Sequence, residues 1–150
     1  MTQSTMFAEL LALSNFSFLK AASHPEEMVQ QAKALGYRAI GITDECSLAG
    51  IVRAHVAAKE CNIKLLIGAQ FVFATNTPHE GQRIALLVKN KTGYTHLCRL
   101  ITQARRRSDK GDYCFLKEDL ADCPPGLWVL LCPNPLLAPS QFTALLQWCA

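Results

Sequence analysis

A chain of 150 residues is the size of one ordinary domain and long enough to bury a core. Half of its residues are apolar and 18% are charged, which excludes a disordered polymer. The formal charge of +3 permits contact with nucleic acid without arguing for it, because DNA-binding domains usually carry a denser basic face.

Along the chain, strand-like and helix-like segments alternate. Phe7 to Leu13 is a short apolar run, followed by the polar-aromatic loop Ser14 to Phe18. Ser23-His24-Pro25-Glu26 then predicts a helix start, with Ser23 at the N-cap, Pro25 in the first turn and Glu26 completing a capping box. Met28, Val29, Ala32 and Leu35 form one face of that helix, and Gly36 ends it. Arg38 to Thr43 reads as a strand, Ile51 to Cys61 as a helix, and Lys64 to Phe73 as a third strand. A turn-rich loop from Thr75 to Gly81 leads to a strand at Arg83 to Val88. A helix follows over Thr92 to Arg106, with Leu97, Leu100, Ile101 and Ala104 on one face.

The pattern then weakens. Lys117 to Ala121 reads as a short helix, Leu127 to Cys132 as a strand, Pro133 to Pro139 as a loop, and Ser140 as the cap of a last helix. That helix is still running at Trp148 without a terminating glycine or proline, as in a piece cut from a longer chain, although natural chains also end on helices. Strands separated by helical segments predict βαβ units in an α/β fold with a largely parallel sheet.

Seven cysteines, at 46, 61, 98, 114, 123, 132 and 149, form no C-x-x-C pair, so neither a zinc ribbon nor a thioredoxin-like motif is present. Most sit in apolar runs, where a free thiol behaves as a small buried hydrophobe, and the expected compartment is the reducing cytoplasm. Met1 to Glu9 lacks a basic n-region and a long apolar stretch, so no signal peptide is expected. Leu127 to Cys132 is far too short to span a bilayer, and the expected protein is soluble, with no membrane partner.

Three stretches together resemble one family. Glu9-Leu10-Leu11-Ala12-Leu13-Ser14-Asn15-Phe16-Ser17-Phe18-Leu19, followed by Ala22-Ser23-His24-Pro25-Glu26-Glu27, resembles the opening of the polymerase and histidinol phosphatase (PHP) domain of bacterial C-family DNA polymerases. Ile42-Thr43-Asp44-Glu45-Cys46-Ser47 is similar to the family's second motif, in the T-D-E-C-S form of the error-prone translesion branch. Lys64-Leu65-Leu66-Ile67-Gly68-Ala69-Gln70 resembles its next strand, and Leu100 to Tyr113 also looks like the error-prone branch. The resemblance covers roughly residues 7 to 120.

It implies the first half of a distorted (β/α)7 barrel of about twice this length, with up to three divalent metals at the C-terminal ends of the strands. Active members hydrolyse phosphoesters, and in some polymerases the domain is a proofreading exonuclease. The positions that the resemblance assigns to metal ligands are Leu11, Leu13, Asp44, Glu45 and Gln70. Leucine offers no lone pair, and a neutral amide is a poorer ligand than a carboxylate for a hard cation. The site therefore reads as degenerate, with no catalytic residue and no cofactor unless a divalent metal is rescued by Asp44 and Glu45.

Plainer roles stand beside these. Asp44 and Glu45 follow a strand and precede a helical segment, where carboxylates commonly cap helix N-termini. Arg105, Arg106, Arg107 and Lys110 end a helix and complement its dipole; contact with DNA, or with the thumb or palm of a polymerase, is the alternative. His24, His55, His79 and His96 have no partner spacing and read as structural or solvated, and Ser14 and Ser17 have no histidine base nearby.

Three functional classes remain. The first is a structural and interaction domain of an error-prone DNA polymerase acting in translesion synthesis, DNA repair and replication. Its partners would be the remaining polymerase domains, DNA and other translesion proteins. The second is an active metal-dependent phosphoesterase or 3′–5′ exonuclease, and the third an unrelated α/β binding module. A polymerase needs palm carboxylates that these residues do not contain, so this portion would not synthesise DNA alone.

Overall fold

A computed structural model describes residues 7–74, 80–120, 125–133, 143 and 147. The first strand, β1 (Ala8–Ala12), leads through the 14–20 loop to helix α1 (Pro25–Ala34). The N-cap of α1 is His24, not Ser23: proline at the first helical position forces the residue before it into an extended conformation (φ −70°, ψ 148°). The capping carboxylate is accordingly Glu27, which accepts from the His24 N–H at 2.9 Å. Pro25, Val29 and Ala32 are buried, whereas Leu35, expected on the same face, is the C-cap and lies 59% exposed.

Strand β2 (Ala39–Glu45), helix α2 (Ile51–Cys61) and strand β3 (Lys64–Val72) follow. Helix crossovers let β1, β2 and β3 pair in parallel. On α2, Ile51, Ala54, Ala57 and Ala58 are buried, and these small side chains bring α1 and α2 onto Ile40 and Ile42. Gly50 starts α2 where there is no room for more: a Cβ there would lie 2.9 Å from Phe16 and Pro25 and 3.2 Å from Asp44 Oδ2.

The second half of the sheet departs from the largely parallel expectation. Strand β4 (Arg83–Val88) is antiparallel to β3, because their connection contains no crossover helix among the described residues. Helix α3 (Lys91–Arg106) leaves the end of β4, and the chain comes back through a 3₁₀ turn (Lys117–Leu120) to the same end. There β5 (Leu127–Cys132) pairs antiparallel with β4. Val88 faces Leu127 in this register, and the Lys89 N–H donates to the Gly126 carbonyl at 2.9 Å. The return passes so close to α3 that a Cβ on Gly93 would lie 1.8 Å from the Gly126 oxygen.

The result is a curled five-stranded half-barrel in the order β1-β2-β3-β4-β5, with β1 and β5 at its edges. Leu65, Ile67, Ala69, Phe71 and Phe73 alternate along β3 and its extension. They place α1, α2 and α3 on one face of the sheet, since the first two pack with the α1–α2 cluster and the rest with α3. Phe71 stacks on Phe115 with centroids 4.4 Å apart, and Phe73 tilts against it at 5.4 Å. Cys46, Cys61, Cys98, Cys114 and Cys132 are free thiols. Among the described residues no helix is long and apolar enough to cross a membrane. The expected helix from Ser140 to Trp148 and the loops at 75–79 and 134–139 lie outside the described residues, apart from Thr143 and Gln147, which are helical.

Candidate functional site

The five family ligand positions do gather at the C-terminal ends of β1, β2 and β3, but the sheet pleat divides them. Glu45 pairs with Gln70 in the β2–β3 register, and Asp44 pairs with Ala69. Successive residues of a strand point to opposite faces, so Gln70 lies on the face away from the helices and Asp44 on the helix side, while Glu45, the last residue of β2, sits at the strand end in a recess with Lys20, Arg105 and Tyr113. Ala12 pairs with Ile42 and packs with the α1–α2 cluster, and Leu11, inside an irregular stretch of β1 between Glu9 and Ala12, lines a recess with Ala12, Met28 and Ala32 on the α1 side.

Asp44 sits within β2 and does not cap α2, whose N-cap is Gly50; the expected capping role is corrected by the two extra residues that the strand carries. Its carboxylate is 1% exposed and answers to the 14–20 loop instead. Oδ1 accepts from the Ser14 N–H and the Ser17 hydroxyl, and Oδ2 from the Ser14 hydroxyl, each at 2.7 Å. The Ser17 oxygen in turn accepts from the Glu45 N–H at 3.0 Å. A buried carboxylate needs such donors, since leaving its charge unpaired in the interior is far more costly. Sequence reasoning set Ser14 and Ser17 aside as nucleophiles without a base. Their three-residue spacing around a turn was the available sign that they converge on one acceptor.

On the other face, the Gln70 side-chain amide donates to Thr43 Oγ1 at 2.9 Å and to the Leu11 carbonyl at 3.1 Å, stitching β3 to β2 and β1. Glu45 is tied by an ion pair to Lys20 and by a 2.8 Å hydrogen bond from the Tyr113 hydroxyl. That hydroxyl also accepts from the Val72 N–H at 2.9 Å. Burial, followed by the bond to Glu45, holds the Tyr113 phenol well above its ordinary range, so it stays a donor. Nothing in the sequence pairs Tyr113 with Glu45, because they are 68 residues apart.

The basic run divides. Arg105 packs over Tyr113 and reaches the Cys46 carbonyl (3.2 Å), the Glu45 carbonyl (3.4 Å) and the Asp112 carbonyl (3.2 Å). It clamps a turn in which Cys46 adopts a left-handed φ of 44°, a conformation unfavourable for any residue but glycine. Burial pushes the Cys46 thiol up to about 11, although Arg105 pulls the other way. Arg107 makes a bidentate pair with Asp119 at 2.6 and 2.8 Å. Arg106 and Lys110 are exposed.

This arrangement does not fit a divalent ion. Leu11 is a hydrocarbon side chain, 38% exposed, and Leu13 another, half-buried. Gln70 presents N–H donors, which repel a cation, and both oxygens of Asp44 and of Glu45 are held by protein donors. Among the described residues no three histidine, cysteine, aspartate or glutamate side chains converge on one point.

A family model described as the PHP domain matches residues 10–130. An error-prone DNA polymerase from Ralstonia nicotianae is 45% identical over 95% of this chain, which spans 14% of that relative. One from Pseudomonas fluorescens Pf-5 is 52% identical over 83% of the chain and 12% of the relative. The matched stretch is the N-terminal region of these polymerases. Among solved structures, a protein described as a metal-dependent phosphoesterase from Bifidobacterium adolescentis superposes with a TM-score of 0.56 at 19% identity. It covers 68% of this chain and 34% of its own. An amidohydrolase from Chromobacterium violaceum gives 0.53 at 20% identity, over 66% and 33%. At such identities these two speak for the fold alone.

Proposed function

The chain belongs to the PHP domain family, and from that premise we propose that it is the N-terminal PHP portion of an error-prone DNA-directed DNA polymerase, with a structural role in translesion synthesis and DNA repair. Identity of 45% and 52% to such polymerases supports the parent. One observation carries the structural role: of the family's ligand positions two are leucines, and the polar side chains at the other three, Asp44, Glu45 and Gln70, are hydrogen-bonded to the protein itself. Gln70 and Asp44 tie the ends of β1, β2 and β3 together, the mechanical task a metal cluster would otherwise perform.

In this reading the portion needs no cofactor and has no catalytic residue. Its partners are the remaining polymerase domains and, in the assembled enzyme, DNA, for which the exposed Arg106 and Lys110 are the nearest cations of the basic run. Free thiols support a cytoplasmic setting.

The test is elemental analysis of the purified chain after dialysis against manganese and zinc, alongside assays on a phosphomonoester and a 3′-labelled oligonucleotide. The expected outcome is no stoichiometric metal and no turnover. Metal bound at one equivalent or more, lost on Asp44→Ala or Glu45→Gln, would instead establish the active phosphoesterase or exonuclease reading.

A further inference from the structure

The buried Asp44 network does more than close a lost site: it fixes the 14–20 loop at its base and leaves its tip in solvent. Phe18 is 82% exposed and its neighbour Leu19 is 89% exposed, the two most exposed large apolar side chains of the described residues. Leu19 also adopts φ 60°, a left-handed conformation that is strained for an L-residue and unexpected in a loop free to relax. The loop is not free. Ser17 donates its N–H to the Ser14 carbonyl and accepts from the N–H groups of Lys20 and Ala21, Asn15 bonds Ser23, and Lys20 pairs with Glu45. Beside the tip lies a recess of about 260 Å³, which Tyr113 and Arg105 help to line.

We infer that Phe18 and Leu19 form a preorganised anchor that inserts into an apolar pocket on a downstream part of the same polymerase polypeptide. The inference rests on the polymerase reading above and names the surface through which this portion meets the rest. Its occupant is chosen by area. Two apolar side chains of this size bury at most a few hundred Å² (about 150–250 Å² for the aromatic ring), against roughly 1,200 Å² for a stable interface between free partners. A second copy or a freely diffusing protein would not be held by them. A tethered partner would, because the linkage supplies an effective concentration in the millimolar range and the pinned loop loses little further entropy on docking. About six-sevenths of the Ralstonia relative lies outside the region that this chain matches, so such a tethered partner exists in the proposed parent.

The experiment grafts this chain into the Ralstonia polymerase in place of the matched region, with photoreactive benzoyl-phenylalanine at position 18. The expected crosslink is intramolecular and maps downstream of the graft. Phe18→Ser combined with Leu19→Gly, where glycine keeps the backbone turn without strain, should lower lesion bypass by the graft about tenfold, as loss of a hot-spot contact does. The same pair should not lower the melting temperature of the 150-residue chain, and Val52→Ser, at a 72% exposed site on α2, should change neither bypass nor crosslinking. A graft that synthesises DNA yet crosslinks only to DNA or to a second copy, or is indifferent to the double substitution, overturns the anchor and leaves the polymerase reading standing. So does a double variant that destabilises the 150-residue chain itself. A graft that makes no DNA at all overturns the polymerase reading and the anchor with it.

Discussion

The two halves of the sheet reach the same layered outcome by different means. Around β1, β2 and β3 the chain repeats one device, a strand followed by a crossover helix. Its core is aliphatic and small: Val29, Ala32, Ile40, Ile42, Ala54, Ala57 and Ala58. Around β3, β4 and β5 the strands run antiparallel and the core is held by the rings of Phe71, Phe73 and Phe115 with Leu97, Leu100 and Ala104 of α3. The family ligand positions belong to the first half, yet two of their tethers, Tyr113 and Arg105, come from the second. The contrast teaches that a repeated unit can be swapped within the repeat, whereas the second half depends on a few long-range contacts and should fail at single positions.

The strongest way to break the comparison is to empty the aromatic core. Phe71→Ala removes a ring with no exposed surface that stacks on Phe115, and is expected to cost about 4 kcal/mol in urea denaturation. Native-state hydrogen exchange should then show β4 and β5 losing protection ahead of β1 and β2. Equal loss throughout would mean that the halves are one cooperative unit.

Next in size is Asp44→Ala, which leaves the Ser14 N–H and two serine hydroxyls without their acceptor. The expected loss is about 3 kcal/mol, with the 14–20 loop becoming sensitive to protease while the aromatic half keeps its amide protection. Retention of a protease-resistant loop would show that Lys20 and Asn15 hold it without the carboxylate.

How much of this was legible beforehand follows the same division. Hydrophobic periodicity found every described helix and strand, because a helix with Val29 and Ala32 on one side must bury that side wherever it lies. Strand direction in the second half was not legible, since α3 is long enough for a crossover and only the return through Gly126 brings the chain back to the same end of β4. The site was legible as a set of positions through the resemblance, and Leu11, Asp44 and Gln70 do meet on neighbouring strands. Its wiring was not legible. The pleat that separates Asp44 from Gln70 depends on the β2–β3 register, and the partners Tyr113 and Arg105 arrive from 59 to 68 residues away, beyond any local pattern. The basic run illustrates the same gap, since Arg105 and Arg107 are drawn to acceptors within the chain.

The turn after β2, which Arg105 clamps from the second half, should also carry a pH dependence. Burial raises the Cys46 thiol from 9.0 to about 11 in the folded chain. Between those values the folded state keeps a proton that the unfolded state releases, so stability is full below pH 9 and falls as pH rises through 11. The contribution is on the order of 2 kcal/mol, and Cys46→Ala should flatten the decline in melting temperature over that window. An unchanged slope would place the alkaline loss elsewhere.

The smallest effect expected is the sharpest probe of the coupling between halves. Tyr113→Phe keeps the ring against Phe71 and under Arg105 but deletes the oxygen that donates to Glu45 and accepts from Val72. Part of the loss is local, because the Val72 N–H is left without its acceptor, and the whole should come to about 1 kcal/mol. Glu45→Gln keeps the size of the partner and removes its charge, so it weakens both the Tyr113 bond and the Lys20 pair. If the hydroxyl links the halves through Glu45, the two substitutions are not additive, and a double-mutant cycle returns a coupling of about 0.5–1 kcal/mol. Lys20→Met combined with Tyr113→Phe gives the comparison that isolates the route. Lys20 touches the same carboxylate from the first half, so its coupling to Tyr113 is carried only through Glu45 and should vanish in a Glu45→Gln background. Full additivity of Tyr113→Phe with Glu45→Gln would mean that Tyr113 serves Val72 alone, and that the second half leans on the site without being wired to it.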